Sequence, residues 1–318
     1  MARPKANNVI LDYIISEGSS ICDIPRGLSL LNRKSYRSGY VYSVDFVEYI
    51  GGGPDVVRTA CLPFSYPLFQ AWKMGFAAWR EQRSSALENA DYLEPGKWAD
   101  FKAFYSQLHL VGPGAGGFTE LTPAGVQGAN LTMVDLDTTG SEWNRSILEY
   151  NDPGAATVSP LYIGMLADDD LPGGYGSLMH AYGVLRSPTL APDPIVPIFA
   201  SGSWMTKTGE ESSDMAEAVI NIIEDDNDNP PYANQADYLL SPTYVGGDQS
   251  APGGILMDIG TTGSTGRAIS LDGGLIPLGL LVVHVAMNNP ELKGTLRIHC
   301  TRGEYKGSVA ALPMGDFS

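Results

Sequence analysis

Tyr40-Val41-Tyr42-Ser43-Val44-Asp45-Phe46, running on through Ile50 to Gly51-Gly52-Gly53-Pro54 and then Asp55 to Leu62, is the stretch on which the fold class turns. Tyr40, Tyr42, Val44 and Phe46 alternate with Val41, Ser43 and Asp45, the two-residue period of a half-buried strand. Three glycines and a proline end it, since glycine reaches turn conformations and proline offers no N–H to a ladder. Asp55 to Leu62 then reads as the return strand of a hairpin.

The same period recurs outward from there. Between Gly294 and Thr301, Leu296, Ile298 and Cys300 share one face while Thr295, Arg297, His299 and Thr301 share the other. Trp98 to Leu110, Asn130 to Asp137, Trp143 to Tyr150, Gly176 to Leu185, Gly254 to Gly260 and Leu278 to Met287 complete about nine strands, the number of one jelly roll with an extra edge strand. Thirty-seven glycines and 22 prolines in 318 residues suit many short strands joined by loops.

Two helices interrupt the strands. Near 67–89, Phe69, Trp72, Phe76 and Trp79 recur at steps of three and four, with Lys73, Arg80, Glu81 and Arg83 on the other side. Near 214–225, Asp214 and Glu217 have capping-box spacing ahead of Met215, Val219 and Ile222, and Asn229-Pro230-Pro231 stops the helix. Two helices are too few for a parallel sheet, in which every neighbouring pair needs its own crossover. The expectation is therefore an all-β chain: residues 1–36 a mildly basic N-terminal arm, and 37–318 an antiparallel jelly-roll sandwich of eight or nine strands with two helical insertions. Two compact jelly rolls are the alternative.

The formal net charge is −16, so most of the surface repels nucleic acid and any such contact is local. Residues 1 to 40 run against that trend, with Arg3, Lys5, Arg26, Arg33, Lys34 and Arg37 against Asp12, Glu17 and Asp23. No stretch has the roughly 20 apolar residues that span a bilayer. Met1 to Asn8 lacks the apolar core of a signal peptide, and Cys22, Cys61 and Cys300 are an odd number without Cys-x-x-Cys spacing, so buried free thiols in an unsecreted protein are expected.

Motifs for catalysis are weak. Gly112 to Gly117 satisfies G-x-G-x-x-G, but no helical period follows to hold a pyrophosphate. Gly263-Ser264-Thr265-Gly266 lacks the first glycine of G-x-S-x-G, and His109, His180, His284 and His299 are scattered through expected strands. The carboxylates Asp168, Asp169 and Asp170, and Asp225, Asp226 and Asp228, are crowded enough for an oxygen-liganded cation such as calcium, although EF-hand spacing is absent. No catalytic residue or cofactor is expected, and the chain reads as a non-enzyme. Glu142 and Glu149, seven apart on an expected strand, face opposite ways and make a poor glycosidase pair.

Several phrases resemble capsid proteins of small environmental viruses with circular, Rep-encoding single-stranded DNA genomes. They are Leu28 to Gly39, Ala71 to Trp79, Lys97 to Lys102, Glu142 to Ser146, Asp225 to Tyr232, Gly274 to Leu280 and Tyr305-Lys306-Gly307, in the same order over most of the chain. The resemblance implies a jelly-roll subunit that self-assembles into a small icosahedral shell around the genome, located in the virion and built in the host cell. It departs from that group's arginine-rich arm, because only Arg3 and Lys5 precede Arg26. Copies of the chain are then the main partner. Phe69, Trp72, Phe76, Trp79, Arg80 and Arg83 are the expected interface, and Arg26, Arg33, Lys34 and Arg37 are expected to face encapsidated single-stranded DNA. A β-sandwich carbohydrate- or ligand-binding module, using Tyr162, Tyr175, Tyr182 and Trp204, is the alternative function.

Overall fold

The computed structural model describes residues 7–88, 100–113, 116–124, 143–150, 159–166, 174–185, 254–263, 268–289 and 291–313. The chain runs β1 (Ile10–Ile15), β2 (Gly18–Asp23), α1 (Ile24–Asn32), β3 (Tyr40–Ile50), β4 (Val56–Cys61), α2 (Tyr66–Glu88), β5 (Phe104–Ser106), α3 (Gln107–Val111), β6 (Thr119–Leu121), β7 (Ile147–Tyr150) and β8 (Ser159–Leu166). It continues through β9 (Tyr175–Ser177), α4 (Leu178–Leu185), β10 (Ile255–Thr261), β11 (Ile269–Pro277), β12 (Leu280–Ala286), β13 (Gly294–Cys300), β14 (Arg302–Gly303), β15 (Gly307–Ser308) and β16 (Ala310–Pro313). Two compact units result, one from Met1–Phe64, Leu108–Asn144 and Gly253–Asp316, the other chiefly from Ser65–Gln107 and Arg145–Pro252.

The first unit is built on two mainly antiparallel sheets. One has the order β1-β13-β3-β11, with β16 beside β3; the other has the order β10-β4-β12-β2-β6, with β6 parallel to β2. Four antiparallel pairs are nested in sequence: β1 with β13, β2 with β12, β3 with β11, and β4 with β10. Leu11, Tyr13, Ile15, Tyr42, Tyr49, Leu296 and Ile298 of the first sheet share one core with Cys22, Val57, Leu281, Val283 and Val285 of the second. Both Val44 and Val47 point inward because the register slips between His299 and Cys300, a bulge that leaves Asp45 opposite no residue of β13. Across from it, Gly273 passes so close that a Cβ would lie 2.1 Å from the Val44 carbonyl oxygen.

One end of this unit is pinned by Asp55, buried at 3% exposure. Its Oδ2 accepts from the Tyr49 hydroxyl at 2.8 Å and its Oδ1 from the Asn288 N–H at 3.1 Å, while its own N–H donates to Thr262 Oγ1 at 2.7 Å. One residue thus joins four places: its carboxylate holds β3 and the exit of β12, and its backbone N–H ties the start of β4 to the exit of β10.

The second unit carries α2, α4 and a sheet of order β5-β8-β7, with β9 also on β8; β5 and β9 run parallel to β8, and β7 antiparallel. Helices α2 and α4 cross at Gly75, where a Cβ would meet Leu178 Cδ2 at 2.5 Å.

Several expectations need correction. β3 and β4 do not form a hairpin, since they lie in different sheets; the Gly51–Pro54 turn carries the chain from one sheet to the other. Residues 1–36 are not an arm from Ile10 onward, because β1, β2 and α1 bury their apolar side chains in the first unit. Gly176 to Leu185 is mostly helix: Ser177 Oγ accepts the His180 N–H at 3.3 Å, an N-cap, and Leu178, Met179, Ala181 and Tyr182 are all buried. Of the described part of Trp98 to Leu110, from Asp100 on, only Phe104–Ser106 is strand, and α3 follows. The helix near 67–89 is observed as Tyr66–Glu88, within an inserted unit that has its own sheet. The strand at 130–137 and the helix near 214–225 lie outside the described residues.

Candidate functional site

The exposed cations of the basic N-terminal region gather where the loop after α1 meets the β14–β15 hairpin. Helix α1 ends because Arg33 takes a left-handed conformation (φ 53°), from which its N–H reaches the Ser29 carbonyl. Lys306 in the hairpin turn is also left-handed (φ 51°). The two segments are laced together: the Tyr36 hydroxyl donates to the Lys306 carbonyl at 2.7 Å, the Arg37 N–H to the Tyr305 hydroxyl at 3.2 Å, and Lys306 Nζ to the Ser35 carbonyl.

Tyr305 is the hub. Its ring centroid is 5.9 Å from Tyr36, 4.6 Å from Tyr40 and 6.5 Å from Tyr42, and Lys306 Nζ lies 5.1 Å from its centre. Burial pushes the Tyr36 phenol up, with a hydrogen bond from Asn32 opposing it, so the phenol stays a donor at neutral pH. Arg33, Lys34, Arg37, Arg302 and Lys306 are exposed on this frame, with Glu304 as the carboxylate between them in the hairpin. Lys34 Nζ donates to Asn7 Oδ1 at 2.9 Å, so the start of the described chain joins the cluster.

Arg26 does not belong with them. It is 3% exposed, its N–H is capped by Asp23 Oδ1 at 2.9 Å, and its guanidinium is paired with Glu120 on β6; His109 Nε2 lies 3.5 Å from the other oxygen of Glu120. This buried ion pair ties α1 to β6 and α3 and cannot face a nucleic acid.

The aromatic stripe of α2 is mostly internal. Phe69 and Trp72 are each 5% exposed; Trp72, Phe76 and Trp79 surround Phe101 at centroid distances of 5.7–6.0 Å. Arg83 lies 5.4 Å above the Trp79 ring, and Arg80 is exposed, so Arg80 and the half-buried Phe76 and Trp79 are what the stripe offers outward. Tyr175 and Tyr182 are core residues at 1% and 3% exposure, and Tyr162 is half-buried against Phe104, so they do not present the exposed rings of a sugar platform. Trp204, Glu142 and the carboxylates of Asp168, Asp169, Asp170, Asp225, Asp226 and Asp228 lie outside the described residues. Among the described residues no three His, Cys, Asp or Glu side chains come together as a metal site.

Cys22, Cys61 and Cys300 are buried free thiols, and burial pushes Cys61 up to about 11 and, with Asp45 nearby, Cys300 up to about 12. His109 and His180 lie on helices, His284 bonds Ser19 Oγ at 2.9 Å, and His299 stacks on Phe46 at 4.0 Å. Gly112 to Gly117 follows α3 and leads into β6, without the helix a dinucleotide site needs. No helix among the described residues is long and apolar enough to cross a membrane. Comparison of the chain with protein-family models, with curated proteins and with solved structures finds no match.

Proposed function

We propose that this chain is a jelly-roll capsid subunit that assembles with copies of itself into a small closed shell around a single-stranded DNA genome. The observation that carries the reading is the nesting of β1:β13, β2:β12, β3:β11 and β4:β10. Counting only these eight strands, the two sheets have orders 1-8-3-6 and 5-4-7-2, the orders expected when such a ribbon folds over itself as a double Greek key, and this supports the jelly-roll reading. The fold alone also serves lectins and cupins, so two further features support the shell reading. The described elements of the second unit enter the chain between β4 and β10, in two stretches on either side of β6, so the four nested pairs stay intact while the chain gains a second unit of its own. The outer face of the β1-β13-β3-β11 sheet keeps Ile14, Phe46, Ile50 and Leu275 at 37–46% exposure beside the Asp12–Arg297–Glu48 ion ladder, a mixed surface suited to contact with another subunit.

The test is to express the full chain alone and follow it by sizing and negative-stain electron microscopy over a range of ionic strength. Closed particles of uniform diameter support the reading. A monomer at every concentration and salt level, or retention of that monomer on a glycan column, overturns it.

A further inference from the structure

The structure has three non-glycine residues with a left-handed backbone among those described: Arg33, Leu278 and Lys306. Two of the three are cations, and they stand in the same laced cluster. Glycine adopts φ values near +50° without the Cβ clash that every other residue suffers, so both positions are ones where glycine is the low-strain choice. A non-glycine residue in this region carries backbone strain, and strained residues cluster at functional sites. Arg33 caps α1 through its backbone, which glycine does equally well; among the described residues its guanidinium has no ion-pair partner. Neither has that of Arg37.

We propose that Arg33, Lys34, Arg37 and Lys306, held by the Tyr36–Tyr40–Tyr305 cluster, form a binding site for the phosphodiester backbone of a single-stranded nucleic acid. Four exposed cations on a preorganised frame meet successive phosphates without the ordering cost of a flexible arm. Tyr40 and Tyr305 beside them are only half-buried, which leaves aromatic surface next to the cations for unpaired bases to pack on and favours a single strand over a duplex or an acidic protein surface. The net −16 of the chain confines the contact to this end. The site needs both ends of the chain, Asn7 and Lys306, so a C-terminal truncation before Tyr305 removes it along with the hairpin. This site rests on the capsid reading only for the identity of its natural ligand; the binding stands independently of particle formation.

The experiment is fluorescence anisotropy of labelled single-stranded DNA and RNA 20-mers with the full chain, kept unassembled as judged by sizing. With four phosphates engaged, log K should fall with log salt at a slope of about −2.8, which is about 50-fold weaker binding on going from about 50 to about 200 mM salt. Arg33→Gly should keep or raise Tm while cutting the slope by about 0.7, and adding Lys34→Gln and Arg37→Gln should bring the slope to about −0.7. Saturable binding of both DNA and RNA with that slope supports the backbone site. Absence of saturable binding, an unchanged slope in the triple variant, or equally tight binding of polyglutamate overturns the site. Particles without binding overturn this inference and leave the shell reading intact; binding without particles does the reverse.

Discussion

Replacing Asp55 by alanine tests the node on which the first unit closes. The carboxylate accepts two hydrogen bonds, from the Tyr49 hydroxyl at 2.8 Å and the Asn288 N–H at 3.1 Å, and both Asp55 and Tyr49 are buried. Hydrogen bonds to a charged acceptor contribute about 1.5–3 kcal/mol each, and stranding the buried phenol adds to the loss, while water entering the vacated space recovers part of it. A net loss of about 3–5 kcal/mol follows, which at about 2–4 °C per kcal/mol for a domain of 150–250 residues lowers Tm by roughly 6–20 °C in differential scanning calorimetry. Tyr49→Phe removes one of the two bonds and should cost about half as much, and the double variant little more than Asp55→Ala alone. Burial, with the Asp55 bond and charge added, pushes the Tyr49 phenol up, so ultraviolet titration of Asp55→Ala should show one tyrosine ionising at lower pH than in the parent. Asp272→Ala, at an exposed carboxylate of the same unit, is the control. A Tm for Asp55→Ala within 2 °C of that control would refute the argument.

Three further outcomes are expected. The thiols of Cys61 and Cys300 are raised from an ordinary 9.0 to about 11 and about 12, so above pH 9 the unfolded chain holds fewer protons than the folded one. Stability should therefore be complete below pH 9 and fall as pH rises toward 12, a decline in urea midpoint that Cys61→Ala and Cys300→Ala flatten; in the native state none of the three thiols should react with a disulfide reagent. Gly279→Ala should cost about 2–4 kcal/mol in urea denaturation, because φ there is +65° and the new Cβ would lie 2.3 Å from Pro25 Cδ. Glu120→Ala, which takes the carboxylate from the buried Arg26 guanidinium, should destabilise more than the paired change Arg26→Met with Glu120→Leu, at somewhat under the about 3–5 kcal/mol of a fully buried pair because Glu120 is a fifth exposed.

The strands read at β3, β4, β10, β12 and β13 are present, but alternation reports only which face is buried. Tyr42 and Tyr49 of β3 face inward, and so does Val57 of β4. Their pattern is the same whether the second strand lies alongside the first or across the core from it, and for that reason a hairpin and a sheet-to-sheet crossing could not be told apart. β1 and β2 are six residues each, and Leu11, Tyr13 and Ile15 give only a short alternation in a region whose excess of cations suits an arm. A local signal was there: Asp23 before Ile24-Pro25 is an N-cap followed by proline in the first turn, which already ends β2 and draws Arg26 into a buried helix start. Ser177 before Leu178 carried the corresponding signal for α4.

The candidate site was half legible for a related reason. Arg33, Lys34 and Arg37 are close in sequence, and a run of cations in an acidic chain is visible without any structure. Lys306 and Tyr305 are about 270 residues away, and only the pairing of β1 and β3 with β13 returns the chain to that end so that the β14–β15 hairpin meets the loop after α1. The same nesting explains why so large an insertion is tolerated. β4 and β10 form the innermost of the four nested pairs, so chain added between them lengthens a connection without breaking any of those pairs. The free energy of closing a loop grows only with the logarithm of its length, and a second unit that buries its own Phe69–Trp72–Phe101 core adds little to that cost.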